Sequence, residues 1–97
     1  MDVNVGIAYD EDIDNARKVL TEVITDHPKV LTNAGNGIFV NELADSSVNL
    51  IVRGYTKPEH YRDVYFGLTE GAKKALDTAG IGIPFPHRVV HTTTDLV

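Results

Sequence analysis

The chain opens with a strand-like pattern that then changes to a helical one. Val3, Val5 and Ile7 alternate with small or polar residues, which is the two-residue period of a β-strand. Asp10 then offers a carboxylate as the N-cap of a helix that ends before Pro28, since proline restricts the residue preceding it. The apolar residues between these limits recur at helical spacing: Ile13, Ala16, Leu20, Val23 and Ile24.

Two further strands are predicted over residues 38–44 and 48–55, separated by a short turn of Asp and Ser. This arrangement is typical of a β-hairpin. Val48, Leu50 and Val52 share one face of the second strand, opposite a mixed polar face. We therefore expect an antiparallel sheet with helices packed on one side.

A second helix is predicted after the hairpin. Thr56 and Glu59 have the spacing of a capping box, and Gly80 is placed to end the helix in a left-handed conformation. Gly71 lies inside the helix, where it indicates close packing against a neighbour. The apolar stripe consists of Tyr61, Val64, Tyr65, Leu68, Ala72, Ala75, Leu76 and Ala79.

The last segment of the chain has a different pattern. Pro84 and Pro86 impose a stiff, extended path. Residues 87–94 are rich in Val and Thr but have no distinct apolar face, so we expect them to pair with a partner rather than with their own domain. We therefore divide the chain into a domain of residues 1–86 and a terminal strand or tail of residues 87–97.

The predicted order of elements is β-α-β-β-α followed by an extended strand. This order indicates an α+β fold of the ferredoxin-like, split β-α-β type, with an antiparallel or mixed sheet and two helices on one face. Because this fold carries many unrelated functions, it does not indicate one by itself.

The composition limits the classes of function. The 97 residues suffice for one core, and the absence of cysteine excludes a disulfide framework and a thiol nucleophile. The net charge of -5 is concentrated in residues 1–48, with nine acidic and three basic side chains, so no nucleic-acid partner is expected. No apolar stretch approaches the ~20 residues of a membrane span, and the first residues do not form a signal peptide. We therefore expect the chain by itself to be soluble.

Candidate catalytic and metal-binding residues do not converge in the sequence. His87 and His91 would lie about 13 Å apart on a strand, too far to share one ion. The acidic run at residues 10–14 lacks the ligand spacing of a calcium loop and is explained by helix capping. Arg53 and Glu42 are expected to form an ion pair across the hairpin. We therefore predict no catalytic residue, no cofactor and no metal site, and hence no enzyme.

Three stretches together resemble the C-terminal region of small-conductance mechanosensitive channel (MscS) family proteins. They are Val5–Asp14 (VGIAYDEDID), Asn41–Arg53 (NELADSSVNLIVR) and Ala79–Pro86 (AGIGIPFP). The three stretches follow the family's order and spacing and together extend over nearly the whole chain. One alone would be a weak signal, whereas all three are specific.

The resemblance implies a structural and assembly domain of a mechanosensitive ion channel that releases solutes on osmotic downshock. In the resulting heptamer, one such domain per subunit would form the wall of a cytoplasmic cage. The cage would lie below a pore for ions and small solutes in the bacterial inner membrane. The family's transmembrane helices and middle β domain are missing from this sequence. We therefore expect a non-conducting piece of a longer protein, which meets the membrane only through its missing N-terminal region.

The resemblance also places the terminal segment in a small axial barrel to which each subunit contributes one strand. The predicted oligomer interface consists of Pro84, Phe85, Pro86, His87, Arg88, Val89, Val90 and His91. A secondary hypothesis is that His87, Arg88 and His91, repeated around the axis, form a ring that binds a metal or titrates near about pH 6–7.

Two other classes of function remain open from the residues. A free-standing ferredoxin-like sensor would bind a small metabolite between subunits, but it does not account for the terminal segment. A small enzyme on the same fold would require polar residues that converge at the ends of the sheet, and the sequence does not indicate such a cluster.

Overall fold

The computed structural model describes residues 1–84. Its elements are β1 (Asp2–Ala8), α1 (Ile13–Asp26), β2 (Gly37–Leu43), β3 (Ser47–Arg53), a 3-10 turn (Pro58–His60) and α2 (Tyr61–Thr78). This order confirms the predicted β-α-β-β-α arrangement. The predicted terminal strand lies outside the described residues.

The three strands form one sheet in the order β1-β3-β2, and both neighbouring pairs are antiparallel. Val52 on the middle strand lies opposite Val3 on one side and Ile38 on the other. Because β1 and β2 are each antiparallel to β3, they run in the same direction with β3 between them. This is the split β-α-β topology, so the predicted fold class is confirmed.

The core lies between one face of the sheet and both helices. Val48, Leu50 and Val52 alternate as buried residues along β3, as their spacing predicted. The helices complete the core with stripes at four-residue intervals: Ala16, Leu20 and Ile24 on α1, and Val64, Leu68, Ala72 and Leu76 on α2. The opposite face of the sheet carries no helix among residues 1–84.

The predicted N-cap of α1 is wrong by two residues. Asp12, and not Asp10, caps the helix, with a side-chain oxygen that accepts hydrogen bonds from the backbone N–H groups of Asp14 and Asn15. The reason is a turn that comes first, in which Glu11 N donates to Ala8 O at 3.0 Å. The end of α1 at His27 is as predicted, because His27 has extended backbone angles before Pro28.

The predicted capping box of α2 is also wrong. The Thr56 hydroxyl donates to Lys29 O at 2.8 Å, so it joins two loops instead of capping a helix. The 3-10 turn occupies the following residues, and α2 begins at Tyr61 without a side-chain cap. Tyr61 and Tyr65, which the periodicity placed in the core stripe, are exposed.

The two helices approach each other closely at glycine. A β-carbon on Gly71 would lie 2.8 Å from Val23 Cγ1, and one on Gly67 would lie 2.6 Å from His27 Nε2. Both distances are shorter than non-bonded contacts allow. A β-carbon at Gly71 would press against the β-branched Val23 of α1, whereas at Gly67 the end of the His27 side chain would have to move. The close packing predicted at Gly71 is therefore confirmed.

Candidate functional site

The chain leaves the helical layer through a tightly held turn after α2. Gly80 has a φ of 74°, a left-handed conformation that favours glycine. Ile81 N then donates to Leu76 O at 2.9 Å, and the Ile81 side chain is buried in the core. The predicted glycine stop is thus confirmed, and it fixes the direction in which the chain continues.

Gly82 joins this exit turn to the two elements at the start of the chain. Its carbonyl oxygen accepts a hydrogen bond from Ala8 N at 2.8 Å, and its N–H donates to Glu11 Oε2 at 2.7 Å. The first and third sequence motifs therefore touch each other. The acidic run that contains Glu11 was attributed to helix capping, and this contact was missed, because nothing in the local pattern links residues 71 positions apart.

The other end of β1, where the strand begins, is held by two hydrogen bonds between Met1 and Gly54. The Met1 amino group donates to Gly54 O at 2.8 Å, and Gly54 N donates to Met1 O at 3.0 Å. Gly82 contacts Ala8, at the far end of the seven-residue strand. At about 3.3 Å per residue, the two anchor points are separated by roughly 20 Å. The chain thus enters at one end of the domain and leaves at the other.

Of the predicted interface residues, the structure describes only Pro84, which is partly buried. Phe85, Pro86, His87, Arg88, Val89, Val90 and His91 lie outside the described residues. The preceding Ile83 packs against the core and lines a groove along the edge of β1 together with Val3 and Leu76. The structure therefore describes the path up to the predicted interface, while the interface itself stays a prediction.

The hairpin motif forms a polar network on the open face of the sheet. Arg53 donates two hydrogen bonds to Asp2, at 2.8 and 3.1 Å, and its guanidinium lies 5.1 Å from the centre of the Phe39 ring. The expected Arg53–Glu42 pair is wrong, because the register places Glu42 opposite Asn49, which donates to it at 3.1 Å. The Arg53 guanidinium holds the pKa of Asp2 below its usual range.

Neither of the two histidines within residues 1–84 belongs to a cluster that could bind a metal ion. His27 Nδ1 accepts a hydrogen bond from Lys29 N at 3.2 Å, while the ring edge packs against Gly67. His60 lies in the 3-10 turn. No group of three potential metal ligands occurs in this part of the chain. His87 and His91 lie beyond the described residues, so the hypothesis of a histidine ring stays untested.

A cleft of about 350 Å³ lies between α1 and the loop that precedes β2. Its lining consists of small polar, glycine and aliphatic residues, among them Thr21, Thr25 and Asn33, and includes no ionisable side chain. The loop is held by Asn36, whose amide donates to Leu31 O and accepts from Tyr55 N. Because acid–base catalysis requires a titratable group, this cleft offers nothing to the enzyme hypothesis.

Neither α1 nor α2 combines the length and apolar character that crossing a bilayer requires. Both helices of the described part of the chain are instead amphipathic, with their apolar stripes facing the sheet.

The comparisons with known proteins agree with this geometry. The family model described as "Mechanosensitive ion channel MscS, C-terminal" matches residues 1–83. The chain is 44% identical over 91 residues to the small-conductance mechanosensitive channel of Edwardsiella ictaluri, covering 94% of this chain and 32% of that protein. An uncharacterized MscS family protein of Synechocystis is also 44% identical over 91 residues, covering 94% of this chain and 31% of that protein.

A solved structure shares the fold. The crystal structure of Helicobacter pylori MscS in a closed state superposes with a TM-score of 0.81 at 31% identity, covering 88% of this chain and 34% of that one. The chain therefore belongs to the MscS family and represents its C-terminal domain. This family consists of mechanosensitive channels rather than enzymes. The chain spans about a third of the length of the curated relatives that it matches.

Proposed function

We propose that this chain is the cytoplasmic cage and assembly domain of an inner-membrane channel that releases ions and small solutes on osmotic downshock. The observation that carries the proposal is the family match over residues 1–83, together with the coverage of about a third of each relative. The domain would contribute to the wall of a heptameric cage, and by itself it would not conduct.

The positions of the two chain anchors support a domain built in series within a longer subunit. One anchor lies at Met1 and Gly54, and the other at Gly82, at opposite ends of β1. Residues 1–86 would form this wall element. Residues 87–97 would pair with their counterparts in neighbouring subunits around the axis.

The function is tested with the complete gene that encodes this chain. Bacteria without MscS-type channels of their own should survive osmotic downshock when they express the complete protein, and membrane patches should show tension-gated conductance. Residues 1–97 expressed alone should provide neither. If the complete protein reaches the membrane yet passes no current up to lytic tension, the proposed function is wrong. An upstream reading frame without apolar helices would instead favour the sensor alternative.

The terminal segment is tested by its removal from the complete protein. Deletion of residues 87–97 should lower the oligomer mass measured by light scattering after detergent extraction. A matched control replaces the same residues with a flexible Gly/Ser segment of equal length, which keeps the length of the chain but removes the strand-forming side chains. An unchanged heptamer in both variants would contradict the axial barrel.

A further inference from the structure

One flank of the domain exposes apolar side chains along the edge strand β2. Val40 and Leu43 form this surface, here called the β2 patch, and Leu43 is 64% exposed. Val40 and Leu43 lie opposite the core residues Leu50 and Val48, so they face the helical side of the sheet. The bulge between Val40 and Glu42 gives both of them this orientation. Helix α1 nevertheless does not cover Val40 and Leu43, and both stay exposed.

A second exposed apolar surface lies on α2. Tyr65 and Phe66 form this surface, here called the α2 patch, with Phe66 61% exposed. Their rings contact each other edge to face, with centroids 5.9 Å apart. Aromatic side chains present a large apolar area at low entropic cost, which is why they are enriched in the centres of protein interfaces.

The two patches lie on opposite flanks of the domain. On α2, Gly67 and Gly71 face α1, whereas Thr69 and Lys73 line the groove along the edge of β1. Helical spacing places Phe66 on the same side as Lys73, seven residues later. The α2 patch is therefore on the β1 side, and the β2 patch is on the other edge of the sheet. One copy of the chain cannot bring them together.

Exposed charges of opposite sign adjoin the two patches, although other charges close to them are already paired within α1 or α2. Glu42 and Asp45 flank the β2 patch, and both are exposed. Arg62 precedes Tyr65 and Phe66 by three and four residues on α2, so it lies beside the α2 patch. None of the ion pairs within residues 1–84 includes Arg62. Complementary charges around apolar centres favour contact between unlike patches, whereas two β2 patches would place acids against acids.

We propose that the β2 patch of one copy binds the α2 patch of a second copy in a head-to-tail interface. The inference deepens the proposed function, on which it partly rests, by naming a surface between neighbouring wall domains that is separate from the terminal segment. Because the two patches differ, the contact is heterologous, and each copy retains one unused patch for the next copy.

Disulfide trapping tests the pairing directly, since the chain has no cysteine of its own. Leu43→Cys and Phe66→Cys are prepared as separate 97-residue chains and checked for folding by circular dichroism. Mixed under mild oxidation, they should form a cross-linked heterodimer, while neither should cross-link efficiently with itself. Lys18→Cys, at an exposed position on α1, serves as the control and should not link to either chain. Self-linking of Leu43→Cys as fast as the mixed reaction, or mixed linking no faster than with the control, overturns the proposal.

Charge reversal adds a second test of the contact, because a specific contact predicts that two opposite reversals together restore the cross-linking rate. Asp45→Arg on the Leu43→Cys chain, or Arg62→Asp on the Phe66→Cys chain, should slow cross-linking about fivefold, and the two reversals together should restore it. Failure of the pair to restore the rate contradicts the proposed contact. These experiments do not involve a membrane. Correct pairing in a protein that fails the downshock test would therefore refute the channel function and leave the interface standing.

Discussion

On the helix-covered face of the sheet, Leu50 and Val52 are completely buried, whereas Ile51 and Arg53, their neighbours on the open face, stay partly exposed. The covered face is held by apolar packing and close helix contacts. The open face is held by hydrogen bonds and a cation–π contact between side chains that water also reaches. The same strand thus contributes to two surfaces with different physical chemistry.

The difference between the two faces indicates which of them contributes more to the free energy of unfolding. Burial of apolar area contributes roughly 25 cal/mol per Å², while exposed ion pairs typically contribute less than about 1 kcal/mol each. The covered face should therefore dominate the free energy of unfolding. The open face and the sheet edges can vary at little cost, which leaves them available for contacts with other parts of a larger assembly.

The largest effect is expected for Leu50→Ala. The substitution leaves a cavity in the centre of the middle strand, and it should lower the free energy of unfolding by about 2–5 kcal/mol. Urea denaturation followed by circular dichroism measures the change. Ile51→Ala is the matched control on the open face and should cost about 1 kcal/mol or less. Equal losses for the two variants would show that the open face is covered in solution.

The same strand shows how much of the fold the sequence predicts. The alternation of Val48, Leu50 and Val52 correctly identified the covered face, because burial on a strand has a fixed period of two. Gly80 and Pro28 correctly indicated the helix ends, since their backbone restrictions act locally. The MscS family was recognised from the three motifs and is confirmed.

Contacts between distant residues were harder to predict. Arg53 was assigned to Glu42 but pairs with Asp2, 51 positions away, because the register of β1 cannot be inferred from the hairpin alone. Thr56 was assigned to a helix cap but bonds Lys29, since the loop that brings them together has no periodic signal. The role of Glu11 in holding Gly82 was missed for the same reason. The predicted oligomer interface beyond Pro84 stays a prediction.

The second-largest effect is expected at the contact between α1 and α2, which lies above the covered face of the sheet. Gly71→Ala gains about 1 kcal/mol of helix propensity but drives a methyl group against Val23, a β-branched side chain with little freedom to move. We expect a net loss of about 1 kcal/mol in the free energy of unfolding. Gly67→Ala is the control, because the His27 ring can swing away, and it should be neutral or stabilising. The packing argument fails if both variants gain stability equally in urea titrations.

A smaller effect is expected on the open face from the contact between Phe39 and Arg53. A double-mutant cycle with Phe39→Leu and Arg53→Gln should give a coupling free energy well below the loss in Gly71→Ala, because the guanidinium is solvated and the ring is partly exposed. Both single variants and the double variant are compared by urea denaturation at the same salt concentration. A coupling as large as the loss in Leu50→Ala would contradict the view that this face contributes little.

The smallest effect is the pH dependence of the Asp2–Arg53 pair. Arg53 stabilises the ionised carboxylate, so the pKa of Asp2 is lower in the folded than in the unfolded chain. The stabilisation is therefore complete above the unfolded pKa of about 4 and is lost as the pH falls through the folded pKa. Asp2→Asn should lower the thermal unfolding midpoint slightly at neutral pH, and the difference from the parent chain should disappear in acid.

Replacement of Arg53, which pairs with Asp2, is the control that assigns the pH dependence to this ion pair. In an Arg53→Gln background, Asp2→Asn should change the midpoint little at any pH, because the favourable charge contact is already absent. Two other carboxyl groups also have a lowered pKa, Asp63 beside Lys29 and Glu70 beside Lys74. Both are present in every variant, so their contributions to the pH dependence cancel in the comparison. A pH-dependent difference that persists without Arg53 would mean that another group stabilises the Asp2 carboxylate. The open face would then contain a stronger electrostatic contact than the Asp2–Arg53 pair.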